Sequence, residues 1–150
     1  MKFVQGDITK IKNGVICHQV NCKNKIGAGV SGAITSKWPK VKKMYHDIVA
    51  ETGSQIFGQV QLCYIDPNIT VANIFSQYNY GNSKKTGIVY TDMDKLVNGL
   101  REICSLLPNR NIYIPQYIGC GLAGGDWNVL LQRLTDDELI NSKITIVCKK

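Results

Sequence analysis

Two glycine loops constrain this chain more than any other feature. One lies in Tyr113-Ile-Pro-Gln-Tyr-Ile-Gly-Cys-Gly-Leu-Ala-Gly-Gly-Asp-Trp127. The apolar run from Asn111 to Pro115 reads as a buried strand. Gly119, Gly121, Gly124 and Gly125 then let the backbone turn tightly and bare its N–H groups. Asp126 is placed to cap a helix that opens at Trp127. The other loop, Ile26-Gly-Ala-Gly-Val30, also follows a strand and opens a helix. Unpaired N–H groups and a helix dipole favour an anion at such a place. Two loops of this kind would grip two phosphates, or one diphosphate from both sides.

Short apolar runs alternate with helical stretches along the rest of the chain, which predicts α/β layering. Strands are expected at Lys2 to Val4, Val15 to Val20, Val60 to Ile65, Ile69 to Phe75, Asn111 to Pro115 and Lys143 to Cys148. Helices are expected from Val30 to Lys37, Val41 to Glu51, Thr91 to Leu107 and Trp127 to Leu139. Trp38-Pro39 separates the first two, because proline disfavours helix in the residue before it. Thr91 is expected to cap the third, with Asp94 three residues on. Ser76 to Gly87 reads as a polar loop. In such sheets ligands bind beyond the carboxyl ends of the strands. Neither glycine loop fits a nucleotide fingerprint: Gly27-Ala28-Gly29 lacks the third glycine of the dinucleotide motif, and no P-loop lysine follows.

A chain of 150 residues suits one domain, expected over residues 1–150. With 44% hydrophobic and 19% charged residues it reads as globular. No apolar run is long enough to span a bilayer, so no membrane contact is expected. Met1-Lys-Phe-Val-Gln-Gly-Asp7 reads as a strand rather than a signal peptide. The net charge of +7 is spread over scattered lysines and reads mostly as a solvated surface. No arginine-rich run or aromatic ladder points to nucleic acid. Cys17, Cys22, Cys63, Cys104, Cys120 and Cys148 form no CxxC pair, and His18 and His46 complete no zinc pattern. No metal or cofactor is therefore expected. Reduced thiols imply an intracellular, cytoplasmic setting. No exposed apolar stripe argues for a dimer, so a monomer is expected.

The residues together resemble a macrodomain, the ADP-ribose-binding α/β module. The resemblance spans nearly the whole chain. It rests on Val4-Gln-Gly-Asp-Ile8, His18-Gln-Val-Asn-Cys22, Gly27-Ala-Gly-Val30, Ile74-Phe-Ser-Gln77 and Pro115-Gln-Tyr-Ile-Gly-Cys-Gly-Leu122, with Ile118 to Trp127 the most specific stretch. It is similar to the branch holding the ADP-ribose 1″-phosphate phosphatases and the terminal ADP-ribose protein glycohydrolases. The resemblance implies a three-layer α/β/α fold with a mixed six-stranded sheet and one cleft. In that cleft Asp7 would accept from the adenine amino group, and the Ile8 backbone would read the ring edge. Ile26, Gly27, Ala28, Gly29 and Val30 would face the diphosphate and distal ribose. Pro115, Ile118, Gly119, Cys120, Gly121 and Leu122 would close from the other side. Asn21 would bond the distal ribose hydroxyls, and Gln77 would flank them.

Each position also has a plainer reading. Asp7 suits a turn, Asn21 local backbone contacts, His18 a buried supporting role and Asp126 an N-cap. Cys120 suits a small side chain tucked inward, and Trp127 the core. Tyr78 and Tyr80 either flank the cleft or rest on the surface. The family's glycohydrolases carry a catalytic lysine where this chain has Gln77, which cannot serve as that nucleophile. The expectation is therefore phosphate release from ADP-ribose 1″-phosphate, with Asn21, Asp126 and His18 as catalytic candidates. The alternatives are a reader of ADP-ribose or ADP-ribosylated proteins without chemistry, and an ADP-ribosyl-glutamate hydrolase.

Overall fold

A computed structural model describes residues 1–149. Six strands enter one sheet: β1 (Lys2–Gln5), β2 (Gly14–Asn21), β3 (Val60–Tyr64), β4 (Ile69–Gln77), β5 (Ile112–Pro115) and β6 (Ile144–Cys148). Their order across the sheet is β1-β6-β5-β2-β4-β3. Only β3 runs antiparallel to its neighbour, β4; the other pairs are parallel. The mixed six-stranded α/β sheet expected from the sequence is present.

The inner strands are buried on both faces, so their side chains alternate between two cores. Val15 and Cys17 of β2, with Ala72 and Ile74 of β4, pack toward α4 (Met93–Leu106), α5 (Trp127–Asp136) and α6 (Glu138–Lys143). Ile16 and Val71 point the other way, toward α1 (Gly29–Lys37) and α2 (Pro39–Thr52). Helices thus cover both faces. The α4 stripe of Leu96, Val97, Leu100, Ile103 and Cys104 is fully buried, as its spacing predicts.

Most element boundaries shift by a residue or two from the sequence reading, and three differences have a specific physical cause. The cap of α4 is Asp92, not Thr91: the Asp92 carboxylate accepts from Lys95 N at 3.0 Å. Thr91 instead donates to the Gly119 carbonyl at 2.5 Å. The expected helix over 127–139 is two helices, because Asp137 takes an extended backbone and caps α6 through Ile140 N. Its second oxygen holds Arg101 at 2.7 Å. Strand β4 runs on to Gln77, past the expected end at Phe75, because Ser76 and Gln77 find polar partners inside the fold. The polar stretch after it includes a one-turn helix, α3 (Ser83–Thr86), capped by Asn82. All six cysteines are free thiols.

The chain leaves β2 toward one face, through α1, and leaves β4 and β5 toward the other, through α4 and α5. This divergence leaves a crevice over the carboxyl ends of the three central strands.

Candidate functional site

That crevice is a cavity of about 710 Å³, within the range for small-molecule sites. One wall is the first glycine loop with Ile26, Gly27, Ala28, Gly29 and Val30. The opposite wall is Pro115, Ile118, Gly119, Gly121 and Leu122. Gln77, Tyr80 and Asn82 close the third side. Gly27 sits at φ 128° and Gly119 at φ 69°, a region that a side chain disfavours. Gly32 lets α1 press on the loop, since a Cβ there would stand 2.5 Å from the Gly27 carbonyl oxygen.

The walls are rich in free donors. The N–H groups of Ala28, Gly29 and Val30, and of Gly119, Gly121 and Leu122, meet no acceptor among the described residues. Helix α1 has no side-chain cap, whereas α3, α4, α5 and α6 are each capped by an Asn or Asp. Its bare N-terminus faces the cavity, where an anion would satisfy it. Among the described residues that line the cavity, Lys25 carries the one formal charge, and no carboxylate lines it.

The polar side chains behind these walls are held by fixed partners. Asn21 is 8% exposed. Its Oδ1 accepts from Lys23 N and from the Tyr45 hydroxyl, both at 2.9 Å, and its Nδ2 donates to the Lys25 carbonyl at 2.6 Å. One amide hydrogen is left for a ligand. Asn21 therefore shapes the 23–25 loop as much as it faces the cavity. His18, 1% exposed, reaches Ser31 Oγ at 2.8 Å through Nδ1 and Asn73 Oδ1 through Nε2. Burial pushes its pKa down to about 4, with the Asn73 contact opposing the shift. The ring is thus neutral near pH 7.

Gln77 has a defined orientation. The Gly119 carbonyl takes the Thr91 hydroxyl hydrogen, so Thr91 Oγ1 accepts from Gln19 Nε2 at 2.9 Å. The same Gln19 Nε2 donates to Gln77 Oε1 at 3.1 Å. Gln77 is left with its NH₂ group unengaged, at the cavity wall. The network that holds Gln77 also ties the second glycine loop to the start of α4.

Four expected site residues lie outside the cavity lining: Asp7, Ile8, Cys120 and Asp126. Asp7 is exposed and caps the 3₁₀ turn Ile8–Lys10, accepting from the Thr9 hydroxyl at 2.7 Å and Thr9 N at 2.9 Å. Those bonds hold its carboxyl below the usual range. Ile8 is buried in the α1-side core. Cys120 turns its thiol inward to the Ile118 carbonyl, and burial pushes its pKa up to about 11. Asp126 caps α5 through Asn128 N and Val129 N. Trp127 packs on the core and meets the Tyr117 ring edge-on at 5.4 Å. Tyr80 lines the cavity under Lys25 Nζ, which sits 5.0 Å from the ring centre. Tyr78 carries Lys23 Nζ at 4.3 Å and stays outside.

The sequence reading missed Ser31, Gln19 and Thr91. Ser31 was marked only by its place in the first turn of the helix that the glycine loop opens. Gln19 and Thr91 carried no signal of this network, since their partners are distant in sequence.

No protein-family model matches the chain. Among solved structures it is similar to a protein of unknown function from Bacteroides thetaiotaomicron, at 25% identity and a TM-score of 0.85, covering 99% of this chain and 97% of the other. A macrodomain protein from Streptomyces coelicolor superposes with a TM-score of 0.75 at 20% identity, covering 98% and 97%. The chain has the macrodomain fold. A further structural match is Thermosipho africanus DarTG in complex with ADP-ribose, with a TM-score of 0.73 and 16% identity over 98% of this chain and 41% of that one. Curated proteins also match this chain. An uncharacterized 17.5 kDa protein of Enterobacteria phage T4 is 25% identical over 98% of this chain and 94% of its own length. The ADP-ribose 1″-phosphate phosphatase of Saccharomyces cerevisiae is 27% identical over 63% of this chain and 58% of the enzyme. The Eastern equine encephalitis virus polyprotein is 27% identical over 98% of this chain, which spans only 6% of that polyprotein.

Proposed function

We propose that the cavity binds ADP-ribose and that the protein releases phosphate from ADP-ribose 1″-phosphate. The observation that carries this reading is the lining: two glycine walls with free N–H donors, an uncapped helix start, one lysine and no carboxylate. A diphosphate has only acceptors to offer and meets donors from both sides. The distal ribose then falls beside Asn21 and Gln77, at the paired ends of β2 and β4. The adenine points past β5 toward β1, where Asp7 keeps Oδ2 free for its amino group. The likeness to the yeast phosphatase supports the reaction.

In that reaction a water oxygen bonds to phosphorus as the bond from phosphorus to the ribose oxygen breaks. The ribose oxygen leaves with one of the water's two protons, and the other stays on the released phosphate. Loop N–H groups and the Gln77 amide stabilise the charge that develops on the phosphoryl oxygens. Of the three catalytic candidates, His18 and Asn21 line the cavity. Asp126 stands behind the second loop, with Oδ2 free to order water.

The second reading is a module that holds ADP-ribose, free or on a protein, without chemistry. The absence of a carboxylate from the described lining favours it. Hydrolysis of ADP-ribosyl-glutamate fits less well, because a neutral amide, Gln77, stands where the family's glycohydrolases carry lysine. Two measurements separate these cases. Calorimetry with ADP-ribose is expected to show binding, and no heat at sub-millimolar ligand would remove every reading. Phosphate release from ADP-ribose 1″-phosphate selects the phosphatase; binding without release selects the reader.

A further inference from the structure

A chain of five polar groups runs from a backbone carbonyl to the cavity, and its polarity is fixed from one end. Gln61 Nε2 donates to the Met44 carbonyl at 2.9 Å, which can only accept. Gln61 Oε1 therefore accepts from Asn73 Nδ2, also at 2.9 Å. Asn73 must then present Oδ1 to His18, so His18 carries its proton on Nε2. That leaves Nδ1 bare, and Ser31 donates its hydroxyl hydrogen to it at 2.8 Å. The other neighbour of Ser31 Oγ, the Gln19 carbonyl at 3.5 Å, is an acceptor too. Either way the Ser31 hydrogen points into the protein, and its oxygen lone pairs remain for the cavity that Ser31 and His18 both line. Burial keeps the ring neutral, which preserves this direction near pH 7.

We propose that Ser31 is a ligand-contacting residue that acts as a pure hydrogen-bond acceptor for a hydroxyl of the distal ribose, with His18 and Asn73 as positioning residues that enforce that polarity. The assignment rests on the nucleotide reading above. The chemistry of the three ligand parts decides which one Ser31 meets. A phosphate oxygen is itself only an acceptor and would be repelled from lone pairs. A ribose hydroxyl can donate. So can the adenine amino group, but Ser31 lies just past the first glycine loop, beside the Gln19 carbonyl near the end of β2 where the distal ribose is placed.

Calorimetry on Ser31→Ala with ADP-ribose and with ADP tests this, because ADP lacks the distal ribose. Loss of about tenfold in ADP-ribose affinity is expected, the size of one hydrogen bond, with ADP affinity kept within about twofold. Ser31→Thr, which keeps the hydroxyl, should recover ADP-ribose binding. An equal loss for both ligands would place the adenosine half of the ligand or a general structural role at Ser31 and overturn the proposal. No loss for either would also overturn it. Wild-type protein that binds neither ligand would remove the nucleotide reading itself, a different result. Nitrogen-15 NMR of the unliganded protein checks the relay separately: His18 should be the Nε2–H tautomer, and an Nδ1–H tautomer would refute the assigned polarity.

Discussion

Lowering the pH toward 5 should destabilise this protein through His18. The ring is 1% exposed, so solvent screening does not soften the effect. Its pKa falls from 6.5 to about 4 on folding, first through desolvation. A depressed folded pKa means that the unfolded chain binds the proton more readily. The stability associated with neutral His18 is therefore complete above pH 6.5 and is lost as pH falls toward 4. For this shift, the loss is about 2 kcal/mol at pH 5 and about 3 kcal/mol at the limit. Protonation would also place a hydrogen on Nδ1, where Ser31 now donates. Urea unfolding of the wild type and of His18→Gln, at pH 7 and pH 5, isolates the effect. Glutamine does not titrate, and Asp7 and Asp137, both with lowered pKa values, contribute only at more acidic pH and to both proteins. The wild type should lose about 2 kcal/mol more than the variant over this interval. An equal pH dependence in the two proteins would refute the reasoning.

Three substitutions probe the walls of the cavity. Thr91→Val keeps the shape but removes the donor to Gly119 and the acceptor for Gln19; a loss of about 1–3 kcal/mol in denaturant unfolding is expected, with weaker ADP-ribose binding as the second loop loosens. Gly32→Ala would force a Cβ to 2.5 Å from the Gly27 carbonyl oxygen. The first loop must move, so calorimetry should show ADP-ribose binding impaired while circular dichroism stays native. Asp126→Ala removes the α5 cap and should cost about 1 kcal/mol by thermal or urea unfolding. Its ADP-ribose affinity should stay near that of the wild type, because Asp126 lies outside the lining.

Much of the fold was legible because burial leaves a periodic trace. The α4 stripe repeats every three or four residues, and β2, β4 and β5 are apolar runs that only a two-sided core explains. Both glycine loops were legible for a similar reason, since their φ values exclude most side chains. Caps were harder. Thr91 and Asp92 are adjacent and both suit an N-cap; the choice was made by the Gly119 carbonyl, which claims the threonine hydroxyl from 28 residues away. The break at Asp137 also depends on a distant group, Arg101, 36 residues earlier. The site shows the same division. Backbone walls could be read from glycine spacing. The inward polarity of Ser31 could not, because it is set by His18 and Asn73, which the β2–β4 register places opposite one another.

That relay is a poor device for stability alone. His18 and Asn73 occupy sheet positions facing the same core as Ile16 and Val71, where apolar side chains would satisfy the alternation without any polar group. A satisfied buried hydrogen bond contributes only about 1 kcal/mol over its solvated state, and a buried imidazole adds acid sensitivity. Every buried side-chain nitrogen and oxygen among the described residues nevertheless has a partner, so the network is complete rather than accidental. A second polar network, from Gly119 through Thr91 and Gln19, ends on the third side of the cavity at Gln77. One network leaves an acceptor at the cavity and the other leaves a donor. A ligand that matches both must carry a hydrogen-bond donor, such as a hydroxyl, at one and an acceptor at the other. A phosphorylated sugar has both groups.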